Sequence, residues 1–405
     1  MPIELTAHTE AGARLLAIAE HLCEPLAARA GAHDRDGSYP FAAIDALKAA
    51  GYFAAPVPVE LGGLGVSSAH DLVVASSRLA RGDASVAIGV NMHLVAVLNM
   101  ARRRQVALAA GHERRARGFT SSLEWIARDG VVLAAAISER GQDLTRPGTV
   151  ATRTDSGWRI DGRKMFCTMS PAATDLYVAV SYADADAVER YAYAMVPTDS
   201  AGVVVHDDWD ALGMRASGSN SVSLEGVELP ETAVRGGFRA GAALPYMERN
   251  LVAGLFHAAA SLGIAEQADQ IARHGLAGRV NAQARPRVQV ADNAVDLAAS
   301  RGILSRAAAL IDEHRAANPA SDGRPDELAA LFAEAQAAKA FVNEAAARVV
   351  ERALALSGGA GYVNGSPLAR AYRDVRAGSF MHPLGANRVY DYLAHVALGE
   401  QPSLH

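Results

Sequence analysis

The feature that most constrains this chain is a double change of hydrophobic period. From about residue 9 to residue 118 the apolar residues recur at helical spacing, as in Leu15, Leu16, Ala19, Leu22 and Leu26. PFAAIDALKAAGY (40–52) reads as a second helix, with Ser38 as N-cap and Gly51 as its stop. After the loop PVPVELGGLG, a long helical stretch is expected from Ser68 to Arg104. The period then shortens to that of strands. VVLAAAIS, GWRIDGRKMFC, DLYVAVSY, RYAYAMVP, GVVVHDDW and SNSVSLEGVELP are short runs divided by Gly, Asp, Ser and Pro. From about residue 240 the helical period returns until near residue 398, interrupted at NPASDGRP and GGAGYVNGSP. The pattern predicts an α+β chain in three parts: helices over 1–118, a small barrel or sandwich over 119–235, and a helical bundle over 236–405.

Composition removes several function classes. A net charge of −5 with mixed signs leaves no basic footprint for nucleic acid or a membrane surface. Two cysteines, Cys23 and Cys167, make no disulfide framework, and neither C-x-x-C nor a Cys/His cluster suggests zinc. The opening MPIELTAHTEAGARLL lacks a basic and apolar leader, and no unbroken apolar run reaches bilayer length, so the expected compartment is the cytoplasm. There is no phosphate P-loop and no Ser/His/Asp order of a hydrolase.

Five segments in chain order resemble the acyl-CoA dehydrogenase superfamily. They are YPFAAIDALKAAGYFAAPVPVELGGLG, AAAISERGQD, IDGRKMFCTMSPAATDLYV, WDALGMRASGSNSVSLEGVELP and GGAGYVNGSPLARAYRDVR. The resemblance implies an N-terminal helical domain, a central β-domain, a C-terminal four-helix bundle and a homotetramer, with a flavin between sheet and bundle. It places Thr168 against flavin N5, Phe166 on the isoalloxazine, and Ser138 at the pyrimidine edge. It assigns Gly358 and Gly359 to the loop that approaches the phosphate and adenine end of the flavin, often from a neighbouring subunit. Two residues depart from the family. Its Gln before the Gly-Gly pair is Ala355 here, and Arg279 is only an approximate counterpart of the Arg in its R-x-x-F-G motif. FAD and FMN both stay open.

The residue that bears on chemistry is found by counting. In the dehydrogenases a glutamate nine residues after the arginine of the R-D pair removes the α-proton of an acyl-CoA. Counted from Arg373, that place holds His382, followed by Pro383-Leu384. The replacement resembles the reduced-flavin monooxygenases of this fold, such as dibenzothiophene monooxygenase, amino-sugar N-oxygenases and indole oxygenases. The resemblance implies reduced flavin from a separate NAD(P)H:flavin reductase, O2 as co-substrate, and a flavin C4a-hydroperoxide that oxygenates a small, mostly apolar substrate, indole-like in one version. His382 would then carry protons, its ordinary pKa near 6.5 suiting either direction. His93, in GVNMHLVAV, falls where the sulfur-oxidising members place a second active-site histidine, or is a satisfied histidine of a helix bundle. A competing reading rests on Glu248. The segment YMERNLVAG resembles that of isovaleryl-CoA dehydrogenase, where the catalytic base has moved to this helix; its structural alternative is a carboxylate in a helix's first turn. Arg102-Arg103-Arg104 reads as a solvated helix end, and Trp209 as part of a structural turn.

Overall fold

In the computed structural model, residues 4–141, 143–276, 284–400 and 404 are described. Helix α1 (Glu10–Asp36) starts at Thr9, whose hydroxyl accepts from the Gly12 amide, and buries Leu15, Ala19 and Leu26 on one face. Helix α2 (Phe41–Ala49) begins after Pro40 without a side-chain cap. Ser38, expected to cap it, instead hydrogen-bonds the His33 ring at 2.8 Å.

The single long helix expected over 68–104 is two helices, α3 (Ala69–Gly82) and α4 (Ala84–Ala109). Apolar periodicity runs through the break, so pattern alone hides it. Asp83 makes the break: its extended backbone leaves the helix, and its carboxylate accepts from the amides of Ser85 and Val86. Gly82 is needed beside it, because a Cβ there would lie 2.5 Å from the Cys23 carbonyl oxygen. Helix α5 (Glu113–Asp129) follows.

Arg102, Arg103 and Arg104 are anchors, which corrects the solvated reading. Arg102 donates to the carbonyls of Asn318 and Ser321, Arg103 to Glu248 and Asp322, and Arg104 to Thr120 and Glu60.

The strands are β1 (Leu133–Ala136), β2 (Val150–Thr154), β3 (Gly157–Cys167), β4 (Asp175–Ala183), β5 (Glu189–Pro197), β6 (Val203–Val205), β7 (Asn220–Pro230) and β8 (Val234–Arg239). They form one sheet in the order β6-β7-β3-β2-β4-β5-β8, with β1 parallel to β4. Ile160, Leu176, Val178, Ala194, Val196 and Val222 fill its core. The β3–β7 ladder shifts register between Lys164 and Cys167. That bulge forces Phe166 to φ 54, a left-handed conformation costly for an aromatic residue.

The chain returns to helices at α6 (Ala243–Asn250), α7 (Ala253–Leu276), α8 (Ala284–Ala317), α9 (Pro325–Ser357), the single turn α10 (Gly359–Tyr362), α11 (Pro367–Asp374) and α12 (Ala386–Leu398). The helices before and after the sheet share one continuous core that includes Leu72, Leu79, Leu255, Leu262, Phe332 and Val349. α4 and the stretch of α6 and α7 together (Ala243–Leu276) are long and apolar enough to cross a membrane by composition, but both are buried inside the protein here. One seam ties the sheet to the bundle beside the loop before β7. The Asp374 carboxylate accepts from the Met214 amide at 2.6 Å, and a Cβ on Gly213 would meet the Arg373 carbonyl at 2.3 Å. That seam fixes the loop before β7 against α11.

Candidate active site

Between the sheet and the bundle lies a cavity of about 460 Å³, within the range of ligand sites. Ser138, Phe166, Thr168 and His382 all line it, although they come from three distant stretches of sequence. Its walls are otherwise mainly apolar, with Ile88, Met92 and Val95 from α4 and Ala253 from α7.

The sheet side presents an aromatic ring and a set of hydroxyls. The Phe166 ring is 57% exposed and meets Trp209 edge-on at 6.0 Å. Trp209 itself lines the cavity while its Nε1 donates to the Met214 carbonyl, so it belongs to the site as well as to the turn. Thr168 Oγ1 accepts from Ser219 Oγ at 2.9 Å, and Ser219 pairs with Ser217 at 2.7 Å. Ser217 and Ser219 were not singled out from sequence. The G-M-R-x-S run, whose last residue is Ser217, was the available signal. The segment carrying Ser138 is held to β3 by the Met165 amide on the Ser138 carbonyl, and beside it buried Lys164 donates to Glu139.

The bundle side presents His382. Asn250 Nδ2 donates to the Tyr246 carbonyl at 2.8 Å, which leaves Asn250 Oδ1 to accept from His382 Nε2–H at 2.6 Å. That fixes the tautomer and leaves the Nδ1 lone pair as the group the ring can offer. Tyr246 packs edge-on at 5.8 Å, and its hydroxyl donates to the Pro383 carbonyl. Lys339 donates to the carbonyls of Met381 and Leu384, clasping the turn on both sides. Burial, and then the Lys339 ammonium, lower the His382 pKa to about 3. The expectation of two-way proton traffic near neutrality is therefore corrected. The ring is an uncharged hydrogen-bonding group at physiological pH.

His257 is a second imidazole on this wall, from α7. Its only signal in the sequence is a polar residue inside the apolar run AGLFHAAASLG.

Other expected site residues lie elsewhere. His93 is fully buried and does not border the cavity; Leu133 N–H donates to its Nδ1 at 3.1 Å, and its Nε2–H donates to the Phe53 carbonyl at 2.9 Å. Both nitrogens are spent on main chain. Burial lowers its pKa to about 4. Glu248 is also off the cavity, its carboxylate bound to Arg103 near the C-terminal end of α6 rather than in a first turn. Gly358 and Gly359 are exposed at the end of α9 and do not line the cavity of their own chain, which leaves the expected approach from a neighbouring subunit untouched. Arg279 lies outside the described residues.

A second cavity of about 960 Å³ adjoins the first, sharing Asn99, Tyr177, Tyr193 and Arg249. Its outer wall carries Arg103, Arg114 and Arg115. Arg114 and Arg115 form no ion pair among the described residues. In the shared wall, Arg249 donates to the Tyr177 hydroxyl at 2.7 Å and lies over the rings of Tyr193 and Phe238.

This architecture belongs to a family of flavin-dependent oxidoreductases. The chain is a member of the acyl-CoA dehydrogenase family: residues 12–105, 134–227 and 255–382 match its N-terminal, middle and C-terminal domains. Within it, the chain is 35% identical to the amino sugar nitrososynthase DnmZ of Streptomyces peucetius, over 96% of this chain and 94% of that one. KijD3, solved with FMN and dTDP-3-amino-2,3,6-trideoxy-4-keto-3-methyl-D-glucose, superposes with a TM-score of 0.88 at 31% identity, covering 98% of this chain and 96% of that chain. TdsC from Paenibacillus sp. A11-2, solved with FMN and indole, shares the fold with a TM-score of 0.82 at 23% identity, over 96% of this chain and 99% of that chain.

Proposed function

We propose that this protein is a reduced-flavin-dependent N-oxygenase acting on the amino group of a nucleotide-linked sugar. One observation carries the reading: among the described residues no carboxylate lines the cavity, and an uncharged imidazole occupies the place of the dehydrogenases' base. Removal of an α-proton needs a base of adequate proton affinity within reach. His382 is too weak a base, and Glu248 faces away.

The residues present fit a flavin. Phe166, held exposed on a strained bulge, offers a ring face for the isoalloxazine, and Thr168 and Ser138 offer hydroxyls for N5 and the pyrimidine edge. The relatives solved with FMN favour FMN over FAD. Reduced flavin with O2 supplies the electrophilic oxygen, and a separate reductase supplies the reduced flavin. The protein's part is to keep water out with apolar walls and to orient donors and acceptors around the reacting nitrogen. His382 accepts a hydrogen bond there through Nδ1.

The adjoining chamber supports a nucleotide-linked substrate over a free amine or an indole. Arg114 and Arg115 suit a diphosphate, for which guanidinium forks are well matched, while the sugar reaches past Arg249 into the inner cavity. The test is to supply FMN, a flavin reductase, NADH and O2 with the amino sugar nucleotide seen in KijD3. Mass spectrometry then shows gain of oxygen at nitrogen, first the hydroxylamine and then the nitroso product. Bleaching of bound flavin by an acyl-CoA without air, with no oxygenated product, would overturn the reading. A homotetramer is part of the proposal, and size-exclusion with light scattering measures it.

A further inference from the structure

His257 has no evident structural purpose. Its side chain is 97% buried on α7, yet neither ring nitrogen has a hydrogen-bond partner among the described residues, and Nδ1 is sealed from solvent. A neutral imidazole always carries one N–H and one lone pair, and burying them unpaired is costly. Gln336 on α9, which lies against Gly254 one turn earlier on α7, also has both amide atoms buried and unpartnered. The sealed Nδ1 stays unpartnered whatever enters; on the cavity wall, Nε2 is the ring nitrogen that a ligand can meet, and with the proton held on Nδ1 it meets it as an acceptor.

The charges around it narrow the ligand. Burial, and then the charge of Lys339 on α9, keep the proton affinity of His257 low, while uncharged His382 lines the same cavity. Arg249 and Arg376 also border the cavity, as does Arg373, which is paired with Asp34 behind the wall; no Asp or Glu lies on the wall itself among the described residues. An ammonium ion entering this space would be desolvated beside cations with no counter-ion, which is strongly unfavourable. Nucleophilic attack on oxygen needs the nitrogen lone pair, which only the free amine has. Selection of the free base therefore serves the chemistry.

Resting on the N-oxygenase reading above, we infer that His257 accepts an N–H of the substrate amine and that the cavity admits the amine only as its free base. The balance is simple: R–NH3+ gives R–NH2 and a proton released to solvent on binding, with no redox change.

The experiment is titration calorimetry of the full chain with dTDP-3-amino-2,3,6-trideoxy-4-keto-3-methyl-D-glucose, in buffers of differing ionisation enthalpy. Below the pKa of the amine, binding releases close to one proton per sugar, and Kd tightens about tenfold per pH unit until it levels off. dTDP alone releases none. His257→Phe weakens the amino sugar about tenfold and leaves dTDP unchanged, while His257→Asn, which keeps an acceptor, restores part of the loss. Binding of the sugar without proton release, or unchanged affinity in His257→Phe, overturns the inference alone. Failure of both dTDP and the sugar to bind overturns it together with the nucleotide-sugar reading.

Discussion

The α4 region that holds His93 and the C-terminal turn that holds His382 each enclose an imidazole whose proton affinity is lowered by burial. They use it differently. In the α4 region both nitrogens are tied to main chain, one to Phe53 and one to Leu133, so the ring joins α4 to the N-terminal loop and to β1. In the turn, one nitrogen is tied to Asn250 and the other is left to the cavity. Burial alone therefore does not mark a reactive histidine. What marks it is a ring oriented by one partner with its second nitrogen unspent.

The sharpest way to break this contrast is His382→Ala. Oxygen transfer to the amine falls on the order of 10–100-fold, the loss of one oriented hydrogen-bond acceptor, while reduced-flavin binding holds. Product formation and flavin affinity, measured side by side, check this; full coupled turnover in the variant would remove His382 from the chemistry. Asn250→Leu comes next. It leaves the ring but frees its tautomer, so product formation falls about tenfold and H2O2 rises at its expense. Equal coupling in variant and wild type would show that orientation by Asn250 is immaterial.

His93→Leu tests the other half through stability. It leaves the Leu133 N–H and Phe53 carbonyl unpaired, costing about 2–5 kcal/mol at pH 8, with turnover per folded molecule little changed. The sign with pH follows from the folded pKa of about 4, below the ordinary 6.5. Stability owed to the neutral ring is fully present above 6.5 and is lost as pH falls through 4, on the order of 3 kcal/mol in all. Urea denaturation should thus show the wild-type advantage shrinking from pH 6.5 towards 4. His257 and His382 are also depressed, but they are common to both proteins and cancel in the difference. A constant gap across that range would contradict the buried neutral ring.

These particulars also show what a linear sequence can carry. The two switches of hydrophobic period mark the helical, β and helical stretches because helix and strand each expose one face per repeat. Counting from Arg373 reaches His382 because the connection is short and local. The role of His93 is not legible, since its partners lie 40 residues away on either side. The break at Asp83 hides in an unbroken apolar pattern, and a triple arginine looks solvated until its carbonyl and carboxylate partners are brought to it by folding. His257 and the arginines of the outer chamber gain meaning only from what surrounds them, and Trp209 only from the ring it meets.

Glu248→Gln carries the smallest expected effect and decides between the two chemistries. The carboxylate pairs with Arg103, which also reaches Asp322 at 3.3 Å, so the variant keeps an acceptor and Arg103 keeps an anionic neighbour. A stability loss of about 1–3 kcal/mol is expected from weakening this largely buried pair, below that for outright removal of one partner. N-oxygenation should stay within about twofold of wild type, because nothing on the cavity wall changes. A dehydrogenase built on Glu248 would behave in the opposite way: reduction of its flavin by an acyl-CoA would vanish with the carboxylate, whatever the melting temperature did. The two outcomes are read in the same preparations, one from oxygenated product in air and one from flavin absorbance under anaerobic conditions. Loss of product formation in well-folded Glu248→Gln would mean that the Arg103 cluster shapes the site from behind, and that the contrast between the two histidines accounts for only part of it.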